Sequence, residues 1–161
     1  RAVLLLLTVY GLRIGEVVRL CLEDIQWRHQ KFVIRRRKAG KDLVLPLLPV
    51  VARGLWEYLE RVRPRSTPHR EVFLTRRLPQ PYASGSALAG TLRPRWLKLG
   101  LRLHPHALRH TLASHLINND CPPEWIQVLL GHASFASTQL YAKVDVVHLR
   151  EVADNDARGL L

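Results

Sequence analysis

Apolar residues change rhythm along this chain, and each rhythm predicts a different element. The opening run "AVLLLLTVYGL", residues 2–12, is apolar on every side, as a buried helix is. Its eleven residues are too few to span a bilayer, and no small-residue cleavage site follows to make it a secretory leader. Gly11 breaks it, and Val17, Val18 and Leu20 carry the apolar face into a second helical piece. The period then shortens. "DIQW", "KFVIRR" and "DLVLPL" are β-branched runs separated by "RHQ" and "RKAGK". They predict a three-stranded antiparallel meander over about residues 23–47, closed by Pro46. Val51, Leu55, Leu59 and Val62 return to helical spacing, predicting an amphipathic helix over 48–62.

The second half is mostly helical. "RPRSTPHR" reads as a basic loop, "EVFLT" as a short strand and "RRLPQPYASGS" as a further loop. Ser84 or Ser86 caps a helix running to about residue 99 and kinked at Pro94. Helices follow over 105–118, 122–130, 135–142 and 146–155. Pro122 and Pro123 suit the first turn of the second of these, and Gly131 its C-terminal cap. The fold class is α+β: mostly helical, with a small three-stranded antiparallel sheet near the N-terminal third.

Composition narrows the partners. At 161 residues and 47% hydrophobic, the chain is one ordinary domain with a real core. Its 25 Lys+Arg against 13 Asp+Glu give a formal charge of +12. Such a charge says little about fold and much about partners: nucleic acid first, an anionic membrane surface second, a merely solvated basic surface third. Cys21 and Cys121 sit in no CxxC or zinc spacing, which fits a reduced, intracellular protein.

The candidate chemistry is concentrated in "HPHALRHTLASH", residues 104–115, with four histidines and an arginine. A helix there puts His106, Arg109 and His110 on one face, while Leu108, Leu112 and Leu116 face the core. Metal binding is one reading, but no acid appears before Asp120 and the arginine repels a cation. Packing is another: His110 as a hydrogen-bonded core histidine, His104 and His115 as surface or packing residues. The third is an anion, since a helix N-terminus and a guanidinium fork both suit phosphate. Three further stretches bear on the choice. In "GLRIGE", Arg13 lies in an apolar context and needs an anionic partner, either Glu16 or a ligand. In "RRRKAGK", Lys38 lies in a hairpin turn beside Arg35, Arg36 and Arg37, either functional or simply solvated. In "LLGHASFASTQLY", His132 follows a helix cap and Tyr141 comes nine residues later.

Taken in order, "GLRIGE", "KAGKDLVLPL", "HALRHTLASHL" and "LLGHASFASTQLYAKV" resemble the catalytic domain of the tyrosine recombinases, the phage-integrase family. The resemblance covers nearly the whole chain and implies one catalytic domain over residues 1–161. It implies that Arg13 is the first family arginine. Lys38 resembles the hairpin lysine of the DNA minor groove, with Lys41 its alternative. His106 and Arg109 resemble the His-x-x-Arg pair, His132 the later histidine and Tyr141 the nucleophile. Glu16 and His110 match supporting residues. The implied activity is site-specific DNA recombination or integration through a 3′-phosphotyrosyl intermediate, with no metal, ATP or other cofactor.

The chemistry is consistent with those residue types. A phenol with an ordinary pKa near 10 is only about 0.1% ionised at pH 7, so attack on a phosphodiester needs a base, for which His106 is the candidate. Arg13, Arg109 and His132 stabilise the charge gathering on the phosphoryl oxygens. Lys38 protonates the leaving 5′ oxygen. Arg35, Arg36, Arg37, Lys41, Arg76 and Arg77, with Arg61, Arg63, Arg65, Arg93 and Arg95, are expected to track the DNA backbone. Two rival readings share the sequence: a type IB topoisomerase-like relaxing enzyme and a non-catalytic DNA-binding module. The resemblance also implies an upstream core-binding domain and first catalytic-domain helices missing from this chain. It further implies a tetramer on double-stranded DNA formed through residues 143–161, and a cytoplasmic, nucleoid-associated setting of prokaryotic or mobile-element origin. Those final residues pack either on a neighbouring protomer or back in cis.

Overall fold

In the computed structural model, which describes residues 1–35, 42–102 and 104–130, the first helix α1 runs Ala2–Val9. Six of its eight residues are buried, because it lies between α3 (Pro49–Arg61) and α5 (Pro105–Asn118). Gly54 lets α3 approach closely: a Cβ there would sit 2.6 Å from Leu5 Cδ1. The helix ends at Tyr10, and Gly11 turns the chain at φ +58°, a conformation that favours glycine. After that turn comes the short α2 (Ile14–Val18), which packs on α4 (Gly85–Lys98).

The expected meander is present. Strands β1 (Ile25–Gln26), β2 (Lys31–Ile34) and β3 (Leu43–Pro46) form an antiparallel sheet in the order β1-β2-β3. The register pairs Phe32 with Leu45 and Ile34 with Leu43, so the core face is set by period-two alternation. β1 has only two residues because 3₁₀ turns flank it, and Gln30 takes a left-handed φ of 47° to enter β2.

Tyr10 joins these parts. Its hydroxyl donates to the Pro46 carbonyl at 2.6 Å and accepts from the Leu48 N–H at 3.0 Å. Its ring packs edge-on to Phe32 at 5.0 Å. Burial pushes the phenol's pKa well above its ordinary value, despite the opposing hydrogen bond from Leu48.

Two expectations fail. "EVFLT" is not a strand: Val72, Phe73 and Leu74 are buried, but Glu71 and Leu74 make isolated bridges to different partners, Cys21 and Pro81. Backbone ties on both sides hold it without a ladder. Val62 lies beyond the end of α3 and is 63% exposed, whereas Val51, Gly54 and Leu55 form the buried stripe. Ser84 caps α4, accepting from the Ala87 N–H at 3.2 Å, and the helix continues through Pro94. The last described helix, α6, is Pro123–Leu130, with the Pro122 carbonyl accepting from Trp125 and Ile126. The helices expected over 135–142 and 146–155, and the cap at Gly131, lie outside the described residues.

Candidate active site

Gly11 is the meeting point of three elements. A Cβ on it would lie 2.9 Å from Leu112 Cδ2 on α5 and 3.0 Å from Leu130 Cδ2 at the end of α6. The absence of a side chain is therefore what lets the α1–α2 turn seat against both helices. Arg13 follows two residues beyond Gly11 in the chain, and Arg109 lies on α5.

Arg109 is tied there by its guanidinium. One amino group donates to the Gly11 carbonyl at 2.5 Å, and the other donates to the Leu130 carbonyl. An arginine fork offers several donors in one plane, so two carbonyl acceptors on different elements fix that plane. Arg109 is half-buried, which strengthens the ties relative to a surface contact. His132 lies two residues beyond Leu130 in the chain and outside the described residues.

Arg13 starts α2. Buried Glu16 accepts from the Arg13 backbone N–H at 2.8 Å and from its Nη1 at 3.2 Å. The Arg13 side chain is 44% exposed against 4% for Glu16. The carboxylate thus braces the guanidinium from the core side while much of it faces water. Of the two partners open to Arg13 on sequence grounds, Glu16 is present.

On α5, Leu112 and Leu116 are buried and Leu108 packs against the core, as the leucine stripe predicts. His106 and His110 are exposed. His110 is therefore not the core histidine of the packing alternative, because its position on α5 turns outward. His104 and His115 are also exposed. His104 does more than sit on the surface: it is the N-cap of α5, its Nδ1 accepting from the His106 N–H at 3.4 Å.

The basic residues divide. Arg35 is exposed and donates from Nε to buried Asp24 at 2.8 Å, anchoring the root of the β2–β3 hairpin. Arg76, Arg77, Arg93 and Arg95 are exposed. Arg63 is half-buried and donates to the carbonyls of His69 at 2.7 Å and Glu71 at 3.1 Å, clasping the loop between them. Lys38, Lys41, Arg36, Arg37 and Tyr141 lie outside the described residues. Asp24, Tyr10 and the capping role of His104 were not evident from the sequence. For His104 the signal was available, since a polar side chain directly before a proline at a helix start is a cap position.

Neither cysteine is an activated nucleophile. Burial first, then Asp24, Glu23 and Glu71, push the Cys21 thiol up, and burial alone pushes up Cys121. Among the described residues no three His, Cys, Asp or Glu side chains gather as a metal site. No described helix is long and apolar enough to cross a membrane.

Comparison with known proteins bears on the family and the fold. The model of the Phage integrase family matches residues 1–148. Tyrosine recombinase XerA of Pyrococcus horikoshii is 34% identical over 154 residues, covering 96% of this chain and 53% of XerA. Tyrosine recombinase XerD of Mycobacterium tuberculosis is 37% identical over 158 residues, covering 94% of this chain and 50% of XerD. The chain thus spans about half the length of these curated relatives. The crystal structure of XerA recombinase superposes with a TM-score of 0.72 at 28% identity, over 96% of this chain and 55% of that one. The integrase of mycobacterium phage Brujita shares the fold at a TM-score of 0.65, with 22% identity over 94% of this chain and 49% of its own. The ordered motifs, the helical domain with its three-stranded sheet and the family match over 148 residues lead to one statement: this chain belongs to the phage integrase family.

Proposed function

We propose that this chain is the catalytic part of a site-specific recombinase or integrase that cuts and rejoins double-stranded DNA. The observation that carries the reading is the Arg109–Gly11 hydrogen bond, which holds one arginine 98 residues along the chain against the turn that presents the other. The guanidinium forks of Arg13 and Arg109 each suit a phosphodiester.

In the proposed reaction the Tyr141 oxygen attacks phosphorus as the bond to the 5′ oxygen breaks. His106 takes the phenolic proton, and Lys38 gives a proton to the departing 5′ oxygen, which leaves as a hydroxyl. The phosphodiester becomes a 3′-phosphotyrosyl ester, so bond energy is kept and religation runs the same steps backwards. No ATP or metal enters this balance. Arg13 and Arg109, with His132, bind the charge that grows on the phosphoryl oxygens, where losing one donor typically costs about 10²- to 10³-fold. Glu16 supports Arg13 as a brace, and His110 shares the outward face of α5. A formal charge of +12 supports backbone contacts by exposed Arg76 and Arg77. Assembly of four copies on DNA through residues 143–161 is part of the same proposal.

The test is covalent trapping on a nicked duplex whose cleaved fragment diffuses away. An adduct of wild type that Tyr141→Phe abolishes supports the reading. Relaxation of supercoiled plasmid at any sequence would favour the topoisomerase alternative, and binding without any adduct would favour a non-catalytic module.

A further inference from the structure

Two exposed imidazoles at the start of α5 lie ring to ring: those of His104 and His106 have centroids 5.6 Å apart and planes 27° apart. Offset stacking of aromatic rings falls in this range. The proposed reaction uses His106 but gives His104 nothing to do.

The backbone explains why the first ring is fixed. Pro105 occupies the first helical position and has no N–H, so the first donor α5 must satisfy is that of His106. His104 Nδ1 accepts it. A residue before proline is confined to extended backbone, and His104 sits at φ −125° and ψ 132°, which is also N-cap geometry. Proline therefore sets the His104 backbone, and the cap sets its ring. The accepting Nδ1 carries no proton, so the neutral ring is protonated at Nε2.

We propose that His104 is a positioning residue for His106: the capping ring serves as a fixed plate that holds the neighbouring imidazole in one rotamer. The effect on cleavage rests on the proposed function, whereas the effect on the ring does not. An exposed side chain immobilised only in the transition state gives up rotamer freedom. Fixing it beforehand is worth about 2- to 12-fold in rate.

Cap and plate separate by substitution. His104→Asn keeps a good N-cap and removes the ring; His104→Phe keeps a ring and removes the acceptor. At pH 8.5, three-bond couplings report the His106 χ1 populations and long-range ¹⁵N–¹H spectra report the His104 tautomer, without DNA. Wild type is expected to show one His106 rotamer and an Nε2-protonated His104. In His104→Asn the His106 couplings average, the folding constant stays within about 2-fold of wild type, and cleavage slows about 2- to 12-fold at unchanged KM for DNA. In His104→Phe the folding constant drops about 2- to 30-fold, and the ring, freed of the hydrogen bond that set it, leaves the His106 couplings averaged. Unchanged couplings in His104→Asn, or a single His106 rotamer retained in His104→Phe, overturn the proposal. If no variant, wild type included, forms a DNA adduct, the functional reading fails and the couplings still decide the role of His104.

Discussion

Replacing Gly11 by alanine strikes the junction at its tightest point. At φ +58° an L-residue costs about 1–2 kcal/mol over glycine. The new methyl would lie 2.9 Å from Leu112 Cδ2 and 3.0 Å from Leu130 Cδ2, and relieving such overpacking typically costs about 1–3 kcal/mol. Restricting the unfolded chain returns about 0.4–1 kcal/mol. The net loss is therefore about 1–5 kcal/mol, read by urea unfolding at constant m-value. Gly90 in α4 is the internal control: no atom lies within 4 Å of its Cβ position, and its φ is not left-handed. Gly90→Ala should stabilise by about 0.5–1 kcal/mol. Because the Gly11 carbonyl accepts from Arg109, the first variant should also slow DNA cleavage, by up to about 10²-fold for a shift near 1 Å. If Gly11→Ala unfolds within 0.5 kcal/mol of wild type, the packing argument is wrong. If it is destabilised as expected yet cleaves at the wild-type rate, the Gly11–Arg109 tie does not position the reaction.

Tyr10→Phe leaves the Pro46 carbonyl and the Leu48 N–H without their partner and should cost about 1–3 kcal/mol in the same unfolding assay. Burial raises the folded-state pKa of Tyr10, so its contribution is complete below about pH 10. It declines as pH rises further, because the unfolded chain then binds fewer protons than the folded one. The melting temperature of wild type should fall more steeply than that of Tyr10→Phe between pH 10 and 11.5; parallel curves would contradict this. Arg63→Ala frees the loop it clasps and should cost about 1–2 kcal/mol, with faster proteolysis between residues 64 and 71 and an unchanged salt dependence of DNA binding. Arg76→Ala with Arg77→Ala should do the reverse: stability within about 0.5 kcal/mol of wild type, and a salt slope shallower by about 0.9 for each phosphate no longer neutralised.

What the sequence carried was periodic. The alternation of Phe32 and Ile34 against Leu43 and Leu45 and the leucine stripe of α5 each repeat at the spacing of their element, and the unbroken apolar run over residues 2–9 marks a buried helix. Gly11 was legible as a break for the same reason. The contacts that close the structure do not repeat. Tyr10 reaches the Pro46 carbonyl across 36 residues, and Arg109 reaches Gly11 across 98. No local pattern announces either partner. Arg63 shows the opposite difficulty: by composition it belongs with the other basic residues, and only the fold shows its guanidinium spent on carbonyls of its own loop. Asp24 was invisible because its role depends on Arg35 returning to it along β2. At the candidate site, Arg13 with Glu16 and the His106/Arg109 spacing could be read from motifs. Fixing Arg109 at the Gly11 junction needed the fold.

The central claim is that the phenol of Tyr141 becomes esterified to DNA. The direct measurement uses the natural full-length protein and a pool of nicked duplexes with randomised sequence, followed by nuclease digestion and peptide mass spectrometry. The account predicts a nucleotide phosphate on the peptide containing Tyr141, absent in Tyr141→Phe and strongly reduced in Arg13→Ala and Arg109→Ala. A nucleotide on any other residue, or an adduct that survives Tyr141→Phe, would contradict it.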